Sequence, residues 1–176
     1  MTRRHKISDT HHNLFNLAAK VGECLAQRGW MLVTAESCTG GWLGQAVTAV
    51  AGSSAWYERG FVTYSNISKC EMLSVRQVTL DYYGAVSIHT AQEMVLGALK
   101  HSHAQIGVSI TGIAGPDGGT TEKPVGTVCF AWATKEGRVW QETKHFNGNR
   151  ETIRQLSVAT ALHGILHLLE NTVAVA

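Results

Sequence analysis

The sequence has few cysteines, and they form no pattern that would hold a metal. Its four cysteines, Cys24, Cys38, Cys70 and Cys129, lie in different predicted elements and form no C-x-x-C pair. Structural zinc sites need closely spaced ligand pairs, and disulfide frameworks belong mainly to small secreted domains. We therefore expect no bound metal and four ordinary core side chains. A reactive Cys38 thiol beside Ser37 is the alternative for that one cysteine.

Long apolar runs are also absent. No segment reaches the roughly 20 consecutive apolar residues that a membrane-spanning helix requires. The N-terminal stretch MTRRHKISDTHHN has no apolar core of the kind found in signal peptides. We expect a cytoplasmic protein that does not bind membranes, with a flexible tail at residues 1–12 and a single domain at residues 13–176.

Charge of either sign is sparse. Charged residues make up 16% of the chain and the net charge is +2. Nucleic-acid-binding surfaces cluster lysine and arginine on one face, often between aromatic residues, and no such stripe is visible. We expect no nucleic-acid partner.

What the sequence does contain is a regular alternation of helical and extended patterns. Apolar residues recur at helical spacing in some segments and form short continuous runs in others, which predicts a three-layer α/β/α sandwich with a mixed sheet. The predicted helices are Asn13–Arg28, Thr39–Val50, one beginning at a cap on Asn66, Arg76–Tyr83, one capped by Thr90 and reaching Lys100, and Arg150–Leu169. The predicted strands are Met31–Ala35, Gly60–Tyr64, Ile106–Ile110, Val125–Thr134 and Arg138–Phe146.

Polar residues gather where these predicted elements meet. The four stretches are Glu36–Gly41, Thr63–Lys69, Thr111–Pro124 and Gly148–Arg150. Ligands of open α/β sheets bind outside the carboxyl ends of the strands, so we expect the first three stretches to converge at one edge. The third stretch is rich in glycine but lacks the G-K-[ST] ending of a phosphate-binding P-loop.

Ser37 is the candidate nucleophile among these residues. It lies where a strand passes into a helix, so N–H groups at the helix start could stabilise an oxyanion beside its hydroxyl. The alternative is that Ser37 or Thr39 only caps the helix. A nucleophilic serine needs a base, and none of the four stretches contains a histidine. Lys69 can serve if burial lowers its pKa; otherwise it is a solvated helix lysine.

Two other groups of side chains have competing interpretations. Arg150 opens the last helix after Asn149, which suits a phosphate or a pairing with a surface carboxylate equally well. His163 and His167 lie one helical turn apart and could hold a metal, but no third ligand accompanies them. A surface or half-buried pair is the simpler interpretation of these histidines.

Five motifs, in this order and spacing, resemble one known family. They are TAESCTGG, GFVTYSNISK, GAVS, SITGIAGPDGGTTEKPVGTV and GNRETIR, and together they span about Leu17 to Leu169. The chain is similar to the nicotinamide-nucleotide amidase family, which is the C-terminal domain of the competence/damage-inducible protein CinA. The molybdopterin-binding-like N-terminal domain of full-length CinA is not found, so the chain resembles a stand-alone amidase.

The resemblance implies an activity, a fold and a set of residues. The activity is hydrolysis of the carboxamide of nicotinamide mononucleotide (NMN) to nicotinate mononucleotide and ammonia in pyridine-nucleotide salvage, without metal or cofactor. The fold is the anticodon-binding-like CinA C-terminal type, often a homodimer or higher homo-oligomer. The family nucleophile falls on Ser37 and its partners on Tyr64 and Lys69, with oxyanion donors among the N–H groups near Cys38 to Gly41. The expected substrate-binding residues are Glu36 at the cationic ring, Thr39, Gly40, Gly41, Asn66, Thr111, Gly112, Gly115 and Arg150.

Departures from the family pattern spare the presumed catalytic residues. Ile88 and His89 follow GAVS where an acidic residue is common, so we assign no contact there. Two alternatives remain at this point: a non-catalytic nucleotide- or RNA-binding module of the same fold, and an amidase for another pyridine nucleotide or related small amide.

Overall fold

A computed structural model describes the backbone of residues 3–171 and the side chains of residues 13–171. Within it, helices alternate with strands through most of the chain. The helices are α1 (Arg3–Arg28), α2 (Trp42–Thr48), α3 (Asn66–Leu73), α4 (Gln77–Tyr83), α5 (Ile88–Lys100) and α6 (Arg150–Glu170). The strands are β1 (Leu32–Glu36), β2 (Tyr57–Val62), β3 (Ile106–Gly112), β4 (Thr127–Thr134) and β5 (Val139–His145).

The strands form one mixed sheet in the order β2-β1-β3-β4-β5. β1 runs parallel to both β2 and β3, whereas β4 is antiparallel to β3 and forms a hairpin with β5. The helical connections before β2 and β3 are what parallel neighbours require. The predicted mixed sheet is therefore confirmed.

Helices cover both faces of this sheet. Alternate strand residues point to opposite sides, so Leu32 packs with α1, α2 and α6, while its neighbour Val33 packs with α5. Trp132 on β4 is fully buried, and its indole N–H donates to the carbonyl of Ala161 in α6 at 3.0 Å. Gly164 leaves room for that ring, since a Cβ there would lie 2.1 Å from it. The arrangement is the predicted three-layer sandwich.

Several predicted element ends shift in the structure. Ser65, not Asn66, caps α3 by accepting a hydrogen bond from the Ser68 N–H, and Ser87, not Thr90, caps α5 in the same way. α1 begins at Arg3, before the expected start at Asn13. A flexible tail was expected at residues 1–12. The side chains of these residues, and the backbone of Met1 and Thr2, lie outside the part of the chain that the structure describes, so this expectation stays a prediction. Asn149 caps α6 as its position suggested.

The carboxyl ends of three strands meet at one edge of the sheet. In the register, Glu36 at the end of β1 pairs with Val62 of β2 and Ile110 of β3. Ser37, Thr63 and Thr111, which follow these residues in the chain, therefore lie side by side. The predicted convergence of the first three polar stretches is confirmed.

None of the helices within the described residues is both long and apolar enough to cross a membrane.

Candidate active site

Ser37 stands on a tight turn between β1 and α2. Its N–H donates to the carbonyl of Ile110 in β3 at 2.9 Å, and its carbonyl accepts from the Gly40 N–H at 3.0 Å. Gly40 and Gly41 adopt φ values of 60° and 94°, which L side chains rarely adopt. The glycine pair is therefore explained first by the shape of the turn, and neither glycine lines the cavity described below.

The Glu36 carboxylate secures the other side of this turn. Oε2 accepts hydrogen bonds from the N–H groups of Gly41 and Leu43 at 3.1 and 3.0 Å, and Oε1 accepts one from Gly44 at 2.9 Å. The side chain is 1% exposed and does not line the cavity. Glu36 thus neutralises the N-terminus of α2, and because its carboxylate already accepts these hydrogen bonds it is badly placed for the expected contact with a cationic substrate ring.

Lys69 reaches Ser37 from the other side of the sheet edge. It lies in the first turns of α3, where the Ser65 cap fixes the start of the helix. Its Nζ lies 3.0 Å from Ser37 Oγ and donates to the Thr63 carbonyl, 2.8 Å away. Ser37 is 8% exposed and Lys69 is 1% exposed. The predicted nucleophile and base therefore lie within hydrogen-bonding distance, in a place shielded from water.

Burial has opposite consequences for the Lys69 amine and the neighbouring Cys38 thiol. Desolvation lowers the pKa of Lys69 because the charged ammonium is disfavoured away from water, and no carboxylate contacts its Nζ among residues 13–171. Desolvation raises the pKa of the Cys38 thiol to about 12. A thiol that stays protonated is a poor nucleophile, so the site favours Ser37, whose hydroxyl lies beside the Lys69 amine, over Cys38.

A cavity of about 270 Å³ opens beside this pair. Its walls come from the sheet edge, the start of α3, the segment before α5, the Gly-rich loop and the first residue of α6. The lining residues are Ser37, Cys38, Tyr64, Asn66, Lys69, Ala85, Val86, Thr111, Gly112, Ile113, Ala114, Gly115, Asp117, Gly118 and Arg150. Most of these residues lie in the motifs and polar stretches found in the sequence. Ala85 and Val86 belong to the GAVS motif and Asp117 to the Thr111–Pro124 stretch, but none of the three was assigned a contact with substrate.

Tyr64 and Arg150 stand together at the mouth of the cavity. Arg150 Nη2 donates to the Tyr64 hydroxyl at 2.9 Å, and Nη1 donates to the Gly115 carbonyl at 2.8 Å. Tyr64 is 59% exposed. Within residues 13–171, its hydroxyl bonds to Arg150 and not to Ser37 or Lys69.

Neither of the two threonines predicted to bind substrate offers a free hydroxyl to the cavity. The Thr111 hydroxyl donates to the Ala85 carbonyl at 2.7 Å, although the residue still lines the cavity. Thr39 is fully buried, lies outside the cavity wall, and its hydroxyl has no hydrogen-bond partner among the described residues. Thr39 is therefore badly placed to contact a ligand through its side chain.

One side chain close to the site was missed at the sequence level. Arg154 of α6 donates to the carbonyls of Cys38 and Thr39, directly after the nucleophile. It lies one helical turn beyond Arg150, and that spacing in the GNRETIR motif is the signal that could have found it. The pair His163 and His167 has no third ligand: residues 13–171 contain no group of three metal-ligating side chains.

A serine hydroxyl beside a buried lysine amine, at the carboxyl edge of a mixed α/β sheet, has the form of a serine–lysine hydrolase site. Comparison with known proteins then specifies the family. The model of the CinA C-terminal domain matches residues 14–169, and the chain belongs to this family. The resemblance drawn from the five motifs is confirmed.

Individual relatives agree with that assignment. The nicotinamide-nucleotide amidohydrolase PncC of Shigella flexneri is 52% identical over 166 residues, covering 93% of this chain and 99% of that protein. The PncC of Pseudomonas putida is 47% identical, covering 86% and 94%. The crystal structure of the competence/damage inducible protein CihA from Agrobacterium tumefaciens has a TM-score of 0.87 at 44% identity, covering 90% of this chain and 96% of that one. A CinA superfamily protein from Klebsiella pneumoniae gives a TM-score of 0.87 at 39% identity, covering 90% and 99%.

Proposed function

We propose that this protein is a nicotinamide-nucleotide amidohydrolase that converts NMN and water into nicotinate mononucleotide and ammonia. The observation that carries the proposal is the 3.0 Å separation between Lys69 Nζ and Ser37 Oγ in a buried position beside an open cavity. Relatives that carry the amidohydrolase name match nearly the full length of the chain. The pair supplies the nucleophile and the base that amide hydrolysis requires.

The first chemical step is proton transfer from Ser37 to Lys69. In the structure Lys69 Nζ donates to Ser37 Oγ and to the Thr63 carbonyl; once the amine is neutral, its one lone pair accepts the serine proton across the same 3.0 Å contact while the Thr63 carbonyl still holds one of its hydrogens. The serine oxygen then attacks the carboxamide carbon and forms a tetrahedral oxyanion. The proton held by Lys69 passes to the leaving nitrogen, so the C–N bond breaks with release of ammonia. Water, deprotonated by the same amine, cleaves the resulting ester and restores Ser37.

The oxyanion needs donors close to Ser37. The N–H of Gly40 is bonded to the Ser37 carbonyl and that of Gly41 to Glu36. We therefore assign the oxyanion to the remaining N–H groups of the expected set, those of Cys38 and Thr39. Donors of this kind lower an acyl-transfer barrier by about 3 kcal/mol each.

The two charged ends of NMN meet matching groups along the cavity. Arg150, supported by Tyr64 and the Gly115 carbonyl, is the cation at the mouth and suits the 5′-phosphate. Asp117 is the one carboxylate among the described lining residues, and it takes the place proposed for Glu36 near the pyridinium ring. Asn66, Thr111, Gly112 and Gly115 complete the surface against which the nucleotide lies.

Tyr64 is a partner of the nucleophile in the family pattern, but the proposed chemistry gives it no proton transfer. Lys69 and Ser37 are close enough to exchange a proton directly, so no relay between them is needed. We propose that Tyr64 binds the nucleotide together with Arg150, since its hydroxyl already lies on that guanidinium.

The setting of the activity follows from its substrate. NMN is phosphorylated and charged, so it stays within the compartment where it is made, and we propose that the enzyme works in the cytoplasm on free nucleotide. We further propose that it needs no metal or cofactor, does not act on nucleic acid or membranes, and assembles as a homodimer or higher homo-oligomer.

An ammonia-release assay tests the proposal. Purified protein is incubated with NMN, nicotinamide riboside, nicotinamide and NAD, with and without a chelator. We expect ammonia and nicotinate mononucleotide from NMN, slower release from the riboside, which lacks the phosphate, and no effect of the chelator. Absence of ammonia from NMN would refute the proposal, and salt-dependent RNA binding in the same preparation would then favour the binding-module alternative. Faster turnover of another amide would redefine the substrate.

A further inference from the structure

Two side chains of opposite charge form hydrogen bonds with the turn that carries Ser37, one from each side. On one side the Glu36 carboxylate accepts hydrogen bonds from the N–H groups of Gly41, Leu43 and Gly44. On the other side the guanidinium of Arg154 donates to two backbone carbonyls. Its Nη2 donates to the Thr39 carbonyl at 2.7 Å and its Nε donates to the Cys38 carbonyl at 3.2 Å. Arg154 therefore holds the two peptide groups that directly follow the one bearing the Ser37 carbonyl.

Fixing these carbonyls also fixes the N–H groups on the other end of each peptide. The C=O and N–H of a trans peptide point in opposite directions within one plane. The Cys38 carbonyl shares its peptide with the Thr39 N–H, so Arg154 sets the direction of that donor. The Thr39 carbonyl shares its peptide with the Gly40 N–H, which in turn bonds to the Ser37 carbonyl and so sets the direction of the Cys38 N–H.

Resting on the proposed function, we infer that Arg154 is a positioning residue that orients the oxyanion donors of Cys38 and Thr39. One guanidinium thereby aligns three successive peptide planes after the nucleophile. Its positive charge at the carbonyl ends also polarises those peptides, which strengthens their N–H groups as donors. Arg154 does not line the cavity and touches no substrate, so it acts through the backbone.

The geometry requires arginine rather than any cation. Two acceptors are engaged by two nitrogens of one planar fork, which a lysine ammonium cannot reproduce. The guanidinium carbon also lies 5.2 Å from the ring centroid of Trp42, the first residue of α2, so its plane is supported by a cation–π contact. A Cβ at Gly40 would lie 3.5 Å from Arg154 Nη2, which is an ordinary contact, so glycine is favoured there by its φ of 60° and not by the approach of the arginine.

Arg150 provides a matched comparison on the same helix. It lies one turn before Arg154, lines the cavity and is proposed to bind the substrate phosphate. Loss of a ground-state contact raises KM, whereas loss of an interaction made only in the transition state lowers kcat. The two arginines should therefore give opposite kinetic signatures.

The test measures kcat and KM for NMN in Arg154→Lys, Arg154→Ala and Arg150→Ala, with the melting temperature of each. For Arg154→Ala we expect kcat to fall about 100-fold, the loss seen when one oxyanion donor is removed, with KM within about threefold of wild type. Arg154→Lys should lose kcat to a smaller but clear extent. Added ethylguanidinium should restore part of the kcat of Arg154→Ala and none of that of Arg154→Lys, whose side chain fills the space.

Three results would overturn the inference. One is a kcat of Arg154→Lys within about twofold of wild type, another is a defect confined to KM, and the third is unfolding of both variants, which would make Arg154 a stability residue. Arg154→Lys keeps the charge and nearly the length, so it decides the question if Arg154→Ala does not fold. Wild-type turnover of NMN tests the proposed function separately and is unaffected by these outcomes.

Discussion

The floor of the cavity, formed by Ser37 and Lys69, is shielded from water, whereas its mouth, formed by Tyr64 and Arg150, is exposed to solvent. At the floor, Ser37 and Lys69 are almost fully shielded from water, and each has its partners within the protein. At the mouth, Tyr64 is more than half exposed and Arg150 reaches across to a loop carbonyl. The floor alters the proton affinity of its groups by excluding water, whereas the mouth presents ordinary charges to a ligand in solution.

Under the proposed function, the residues at the floor carry out the chemistry and those at the mouth bind the substrate. Electrostatic effects grow as water is removed, so a lysine can act as a base only where it is dry. Charged contacts in water contribute less and are easily rearranged, which suits selection among substrates. Substitutions at the floor should therefore lower kcat, and substitutions at the mouth should raise KM.

The largest effect is expected for Ser37→Ala at the floor. Removal of the hydroxyl leaves no group in position to attack the carboxamide, so turnover of NMN should fall at least about 1,000-fold. The Ser37 side chain is small, and alanine fills nearly the same space, so the melting temperature should change little. Ammonia release and thermal unfolding measure the two quantities.

Cys38→Ala is the matched control for that variant. The Cys38 thiol adjoins Ser37 and burial raises its pKa to about 12, so it stays protonated at neutral pH. We expect this variant to retain kcat within about threefold. A greater loss in Cys38→Ala than in Ser37→Ala would reassign the nucleophile to the thiol.

Lys69→Met should lower kcat by about 1,000-fold. Methionine has nearly the same length but no lone pair to take the serine proton, and a general base contributes about 100- to 10,000-fold. KM should stay close to the wild-type value, because the proposal gives Lys69 a role in proton transfer and none in binding the nucleotide. Lys100→Met, at the exposed end of α5, serves as the control and should leave both constants unchanged. A rise in KM with unchanged kcat would make Lys69 a binding residue.

The next effect is the dependence of turnover on pH. Because burial lowers the pKa of Lys69, its amine is neutral over a wider range than an ordinary lysine. Protonation removes the base, so kcat/KM should decline about tenfold per unit as the pH falls below that lowered pKa. The residual activity of Lys69→Met should lack this acid limb. The same limb in Lys69→Met would assign it to another group.

Folding stability should follow the same group with a defined sign. Between the ordinary lysine pKa and the lowered one, the unfolded chain binds a proton that the folded protein does not. Stability therefore decreases as the pH falls through this interval, and below it Lys69 adds no further pH dependence. Lys69→Met should abolish that slope in denaturant unfolding measured at alkaline pH.

Most helices and strands could be predicted from local sequence patterns, and the errors in the predicted helix starts have one common cause. Apolar patterns located helix α6 and the core strands β1 and β3, because these elements carry the apolar residues that the core buries. Helix starts were less certain because several polar residues near a start can each act as the cap. Ser65 and Ser87 occupy the positions where a side-chain oxygen meets a free N–H, which depends on backbone angles that composition does not reveal.

The site shows the same limit. That Ser37 and Lys69 lie close together could be predicted, because each follows a strand whose carboxyl end reaches one edge of the sheet; the roles proposed for them come from the family motifs. The role of Glu36 was not, since a carboxylate beside a nucleophile fits a cationic substrate as well as a helix N-terminus. Only the fold, which aims the side chain at Gly41, Leu43 and Gly44, distinguishes the two.

The smallest effects are expected for substitutions at the mouth of the cavity. Arg150→Ala removes the cation proposed for the phosphate, so KM for NMN should rise about tenfold with kcat nearly unchanged. Tyr64→Phe removes only a hydroxyl that lies on the same guanidinium, and its KM should rise about threefold. Nicotinamide riboside is the control substrate: it has no phosphate, so neither substitution should affect its turnover. A fall in kcat for Tyr64→Phe with both substrates would instead place that hydroxyl among the catalytic groups at the floor, since a proton relay acts on the amide whether or not a phosphate is present.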